Sequence, residues 1–286
     1  MNIKMAKHAG ACYGVEMAFD AVIDASQKAK EGEAVHTLGH IIHNAQAVEW
    51  LKRDYGVSAI QKLEDVESGT ILIRSHGAAP ETFKQAKEKG LNVIDATCPF
   101  VIRSQEHALS LMQEGYFVVV LGEKKHPEVI GILGQVGERG IAIETIDDLN
   151  HADLPNKIGV VLQSTQKIEK FNNIILGLYH RCYEVRIKKT ICNVVARHQK
   201  SATELAQKVD VMIVIGGKHS ANTKELAMIS EEQGAKTYHI ETAEELKEEW
   251  FEQCQDVGIT AGTSTPSFII EAILSKLKQI QSKVPA

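Results

Sequence analysis

The chain of 286 residues has no large excess of charge of either sign. Its 32 Lys and Arg against 37 Asp and Glu leave a net charge of −5. A general electrostatic grip on nucleic acid or on an anionic membrane is thereby excluded, so any bound anion is held locally. There is no uninterrupted apolar run of the ~18 residues that a membrane span needs. Met1–Met5 reads as a strand, and the next apolar stretch is broken by Glu16 and Asp20, which is no signal peptide. The expected location is the cytoplasm. Cysteines are few and odd in number (Cys12, Cys98, Cys182, Cys192, Cys254), and none forms a Cys-x-x-Cys pair. That pattern argues against a disulfide scaffold and a dithiol redox motif, and for thiols that bind metal or react. A Walker-type glycine loop is missing, which argues against a nucleotide triphosphatase. What remains is an ordinary globular composition, 44% hydrophobic and 24% charged, with twelve histidines.

The organising feature is a threefold internal repeat. In VHTLGHIIHNAQAVEWL (35–51), VVVLGEKKHPEVIGIL (118–133) and VIVIGGKHSANTKELAMI (214–229), a strand-like run ends in glycine. A polar residue follows four positions later, and then a helical pattern. The aligned polar residues are His43, His126 and Ser220, with Ala45, Glu128 and Asn222 two positions on. Each copy then has a second strand, a polar turn and a helix: 71–90, 159–178 and 258–277, with His76, Thr165 and Ser264 at the turn. The strands are apolar on both faces, as parallel strands covered by helices are. Cys12, Cys98 and Cys192, roughly 90 residues apart, mark the junctions. Each precedes a helical pattern, over 15–29, 104–114 and 198–208. The expected architecture is α/β: three related lobes (13–97, 98–191 and 192–280) with mostly parallel sheets around a pseudo-threefold axis. Residues 1–12 form a strand joining the centre, and 281–286 a tail.

Ligands of parallel α/β units bind where strand carboxyl ends meet helices, so such an arrangement brings three cysteines and six turns to one centre. Three thiolates satisfy three irons of a cubane cluster and leave the fourth open to a substrate oxygen. Cys182 and Cys254 match no repeat position and read as small buried hydrophobes. Turn residues His43, His76, His126, Ser220, Asn222 and Ser264 offer the converging donors that a diphosphate needs, at helix N-termini that already favour anions. Glu128 has no carboxylate counterpart in the other copies. It reads either as an ordinary helix-dipole partner or as a proton donor, with Thr165 close enough to share a relay. His36 and His40 have a zinc-like spacing only if helical, and their surroundings are strand-like.

Together the motifs GACYGV, HNAQAV, RSHGAA, DATCP, HPEVIG, QST, TIC, HSANT and TAGTSTP resemble the 4-hydroxy-3-methylbut-2-enyl diphosphate reductases of the non-mevalonate isoprenoid pathway, over roughly residues 1–280. The resemblance implies a three-lobed fold around one [4Fe-4S] cluster with an open iron, held by Cys12, Cys98 and Cys192. It implies a diphosphate shell of His43, His76, His126, Ser220, Asn222 and Ser264, to which Ser164, Thr165 and Ala221 are added as substrate contacts. Glu128 becomes the proton source, Thr165 its hydrogen-bonded partner, and His126 a third catalytic group. The implied reaction is a two-electron, two-proton reductive dehydroxylation to isopentenyl and dimethylallyl diphosphates. Electrons come from ferredoxin or flavodoxin, and the protein is a monomer or weak dimer without nucleic-acid or membrane partners.

The sequence departs from the family pattern at Met17, Ser164, Val194, Val195, His198 and Ala221. None of these removes a ligand or the acid. Three other classes compete: a phosphate- or metal-binding sensor, a zinc hydrolase with three thiolates, and a thiol–disulfide enzyme. A carboxylate in a pure diphosphate site would repel its ligand, a zinc protein would be colourless, and the third class lacks its paired cysteines.

Overall fold

The computed structural model describes residues 1–42, 44–166, 168–252 and 254–283. The chain opens with β1 (Asn2–Met5) and α1 (Tyr13–Lys28). The first repeat follows as β2 (Val35–Leu38), α2 (Ala45–Tyr55), β3 (Ser58–Ile60), β4 (Thr70–Ile73), α3 (Pro80–Glu88) and β5 (Asn92–Asp95). The second is α4 (Pro99–Gln113), β6 (Phe117–Leu121), α5 (Pro127–Val136), β7 (Gly140–Ile143), α6 (Ile146–His151), β8 (Lys157–Leu162), α7 (Asn172–Arg181) and β9 (Glu184–Ile187). The third is α8 (Val194–Ala206), β10 (Val211–Ile215), α9 (Ala221–Glu232), β11 (Lys236–Ile240), β12 (Asp256–Ala261) and α10 (Ser267–Lys283). Among the described residues no helix is long and apolar enough to cross a membrane.

The repeat shows in the strand order. Three four-stranded sheets run β3-β2-β4-β5, β7-β6-β8-β9 and β11-β10-β12-β1, and every pairing is parallel. The N-terminal strand thus completes the third sheet, filling the place that β5 and β9 fill in the others. The register repeats as well: Leu38 pairs with Ile73, Leu121 with Leu162 and Ile215 with Ala261. The two central strands of each sheet therefore end level, and their exit turns emerge side by side. Those strands lead off in opposite directions, so the crevice between them is the switch point at which open parallel sheets bind ligands.

Two compact units carry these sheets. Unit 1 comprises Met1–Glu16, Ile42–Leu51 and Asn193–Ala286, and unit 2 comprises Met17–Ile41 and Lys52–Cys192. In unit 1, alternate residues of β10 and β12 (Ile213, Ile215, Val257, Ile259) pack on Ile269, Ile270, Ile273 and Leu277 of α10. The opposite face sets Val214 against Ala202 and Leu226, and Met212 against Ala206. In unit 2, Val119, Leu121, Val160 and Leu162 face Phe171, Ile174 and Leu178, while Val118, Val120 and Val161 face Ala108, Leu111, Val129 and Ile132. This two-sided burial follows from the period of two along each strand and stabilises by roughly 1.5–3 kcal/mol per large side chain.

The helices after the cysteines start earlier than the apolar periodicity predicts, at Tyr13, Pro99 and Val194. Cys98 is itself the N-cap of α4, and Pro99 occupies the first turn, where its missing N–H costs nothing. Thr265, two residues before α10, donates its hydroxyl to the Ile215 carbonyl (3.2 Å). His36 lies in β2, so it does not pair with His40 as helical zinc ligands would.

Candidate active site

Each of the three junction cysteines is tied to its repeat by the same backbone bond. The N–H of Cys98 donates to the Ser75 carbonyl (2.9 Å), that of Cys192 to Ser164 (2.7 Å) and that of Cys12 to Thr263 (3.0 Å). Ser75, Ser164 and Thr263 each stand two residues past the end of β4, β8 and β12, immediately before His76, Thr165 and Ser264. Cysteine and turn residue are therefore locked together in every repeat. All five cysteines are half-buried and none is in a disulfide. Burial pushes the Cys182 and Cys254 thiols up, and the Cys254 thiol donates to the Asp256 carbonyl (3.2 Å).

In unit 2 the chemistry centres on Glu128, in the first turn of α5. Its carboxyl is completely buried, and one oxygen accepts from the Ser164 N–H (2.7 Å) while the other accepts from the Ser164 hydroxyl (2.9 Å). Burial raises its pKa from 4.5 to about 7, against the lowering effect of those two bonds. The group is thus poised to hold and release a proton near neutrality. His126 caps α5, its Nδ1 accepting from the Glu128 N–H (3.2 Å). The neutral ring then carries its proton on Nε2, as a donor. His76, from the first repeat, meets His126 edge to face with ring centroids 5.2 Å apart.

The expected partnership of Glu128 with Thr165 is corrected by this geometry. Thr165 is exposed, and its hydroxyl accepts from Gln163 Nε2 (3.2 Å); Ser164, one residue earlier, takes the carboxylate. Gln163 was not anticipated. Nearly fully buried, it also accepts the Glu123 N–H (2.9 Å) and so ties the two turns of the repeat together. It packs so closely on Gly122 that a Cβ there would lie 2.7 Å from it.

In unit 1 Ser220 caps α9, accepting from the Thr223 N–H (3.3 Å). Asn222, equivalent to Glu128, directs its Nδ2 to the Thr263 hydroxyl (3.4 Å), Thr263 being the equivalent of Ser164. The same cross-turn contact thus recurs with an amide in place of the carboxyl. The Asn222 Oδ1 is buried without a partner among the described residues; an amide flip would put an N–H donor there. Ser264 is half-buried in the neighbouring turn, and Ala221 is the first residue of α9. His43 lies outside the described residues.

Among the described residues no three His, Cys, Asp or Glu side chains are gathered as a single metal ion requires. A cubane cluster makes a different demand, one thiolate for each iron it anchors. Three thiols in one structural position, each locked to its turn, match that donor set, and α4 presents its positive N-terminal end at Cys98.

Three like parallel α/β repeats, each with a thiol after its last strand and one with a neutral-range acid, provide the thiol donors and the proton source that a metal-cluster oxidoreductase uses. The family model described as LytB protein matches residues 3–278, and the chain belongs to that family. The 4-hydroxy-3-methylbut-2-enyl diphosphate reductase of Aquifex aeolicus (strain VF5) is 47% identical over 283 residues, 98% of this chain and 97% of that protein. That of Pelobacter propionicus is 42% identical over 99% of this chain and 100% of its own. A solved structure of (E)-4-hydroxy-3-methyl-but-2-enyl diphosphate reductase, the terminal enzyme of the non-mevalonate pathway, superposes with a TM-score of 0.84 at 43% identity. It covers 98% of this chain and 100% of that one. The Plasmodium falciparum reductase shares the fold, with a TM-score of 0.78 at 24% identity.

Proposed function

We propose that this chain reduces 4-hydroxy-3-methylbut-2-enyl diphosphate to isopentenyl and dimethylallyl diphosphates. Two electrons and two protons enter, the allylic C–O bond breaks, and water leaves. Cys12, Cys98 and Cys192 would hold the iron–sulfur cluster of the family, of the four-iron type with one iron free of protein ligands. Such a cluster supplies the electrons one at a time and polarises the C–O bond. Ferredoxin or flavodoxin is the electron donor, and the protein acts as a monomer or weak dimer.

The chain's own residues supply recognition and protons. Donors that include His43, His76, His126, Ser220, Asn222, Ser264 and the helix-initiating backbone at Ala221 hold the diphosphate. Neutral and ring N–H donors suit that ligand because each hydrogen bond to an anion is charge-assisted. Glu128 delivers the proton that lets the hydroxyl leave as water, Ser164 holds its carboxyl in place, and Thr165 orients the substrate hydroxyl. The observation that carries this reading is the buried Glu128 carboxyl, protonated in part at neutral pH and clamped by the residue whose carbonyl holds Cys192. In an anaerobic reductase assay, Glu128→Gln is expected to keep cluster and diphosphate affinity and to lose turnover by about a hundredfold or more. Unaltered turnover would remove Glu128 from the reaction.

A further inference from the structure

His76 and His126 come from different repeats, yet their rings touch, and the reason lies in a seam of glycines on α5. At Gly134 a Cβ would stand 2.6 Å from the Ala79 Cβ, 3.1 Å from its Cα and 3.2 Å from Pro80. At Gly131, one helical turn earlier on the same face, it would stand 3.4 Å from the Ala78 carbonyl oxygen and 3.0 Å from Gln105 Nε2. At Gly77, next to His76 and in the left-handed region (φ +71°), a Cβ would likewise stand 3.0 Å from the Gln105 nitrogen. That nitrogen is buried without a partner among the described residues. Helix α5 thus lies backbone to backbone on segment 77–80, with the Gln105 amide wedged between the two glycines. His126 caps the N-terminus of this helix, and His76 immediately precedes the segment on which it rests.

We propose that Gly131 and Gly134 are positioning residues for anion recognition: by letting α5 seat directly on residues 77–80, they set the spacing of the His76 and His126 rings and hence the fit of the diphosphate between their donors. The proposal rests on the reading of those histidines as diphosphate ligands. An added methyl at 134 has nowhere to go, since its nearest neighbour is the first carbon of a short side chain beside a proline, so the helix must lift. The displacement is reversible in a specific way, because Ala79→Gly removes the nearest of the three atoms that the new methyl meets, the one at 2.6 Å.

The test uses anaerobically purified holoenzyme, inorganic diphosphate as the probe, and histidine-selective 15N NMR of the two rings without ligand. Gly134→Ala is expected to shift both ring signals and weaken diphosphate about tenfold. The Ala79→Gly/Gly134→Ala pair should return the signals and bring affinity to within about threefold of wild type. Reciprocal rescue of this kind separates positioning from general loss of stability. If Gly134→Ala does not fold, Gly131→Ala, whose methyl would stand 3.0 Å from the buried Gln105 amide and 3.4 Å from the Ala78 carbonyl oxygen, carries the same measurement. Unmoved ring signals overturn the proposal, as does wild-type affinity with displaced rings or rescue of the signals without rescue of binding. Undiminished binding in His76→Asn and His126→Asn would instead defeat the reading of the site, which the ligand-free signals do not depend on.

Discussion

Glu128 is where a single residue decides the most. Its carboxyl binds a proton more tightly in the folded chain than its ordinary 4.5 allows, up to about 7, because burial penalises the charge. A raised carboxyl contributes stability in full below about pH 4.5, and that contribution is lost as pH rises through 7, an amount of about 3 kcal/mol at alkaline pH. Glu128→Gln carries no charge and retains an acceptor for the Ser164 N–H. Its urea midpoint is expected to match wild type near pH 4 and exceed it at pH 8; equal midpoints at both would refute the buried-charge account. Ser164→Ala removes a bond that lowers the Glu128 pKa, so the alkaline limb of the activity–pH profile should move to higher pH, and movement to lower pH would contradict the clamp. The distinction between Ser164 and Thr165 was not legible in the sequence. Alignment of repeats places Thr165 opposite His76 and Ser264. Which turn residue reaches Glu128 is instead set by backbone bonds, such as Gln163 N–H to the Leu121 carbonyl (2.9 Å) and Cys192 N–H to Ser164, that no side-chain pattern announces.

At the scale of elements, the proposed recognition of the diphosphate falls on helix starts. The strand–glycine–polar spacing places His126 and Ser220 at helix starts, and in the structure both accept from their own helix's first turn. Equally readable were the cysteines before α1, α4 and α8. The helix starts themselves were misjudged by several residues, because Tyr13, Pro99 and Val194 are fixed by the turn before them and not by the apolar stripe further on. Equivalence of Asn222 and Glu128 allows a test by charge alone. Asn222→Asp adds a carboxylate in the first turn of α9, where it favours the helix, beside an anion that it repels. The thermal midpoint should hold or rise while affinity for inorganic diphosphate falls by about tenfold or more. Unchanged affinity would take Asn222 out of the diphosphate shell.

On the scale of the whole molecule, the threefold repeat was legible because strands, turns and cysteines recur in one order. Three sheets with a single strand order and a single register bear it out. The role of the N-terminus was harder to read. Nothing within residues 2–5 says that they pair with Asp256–Ile259 rather than stand alone, since the partner strand lies at the far end of the chain. That pairing gives the third repeat its fourth strand and leads directly into the loop of Cys12, so all three cysteines follow the fourth strand of a sheet. The central claim is that this one structural position, used three times, is a cluster-binding position. Its most direct test is iron and acid-labile sulfide per chain in anaerobically purified protein, compared with five single Cys→Ser variants. Wild type, Cys182→Ser and Cys254→Ser should each retain about four irons, whereas Cys12→Ser, Cys98→Ser and Cys192→Ser should lose most of theirs. An iron-free wild type that cannot be reconstituted, or equal retention in all five variants, would contradict the account.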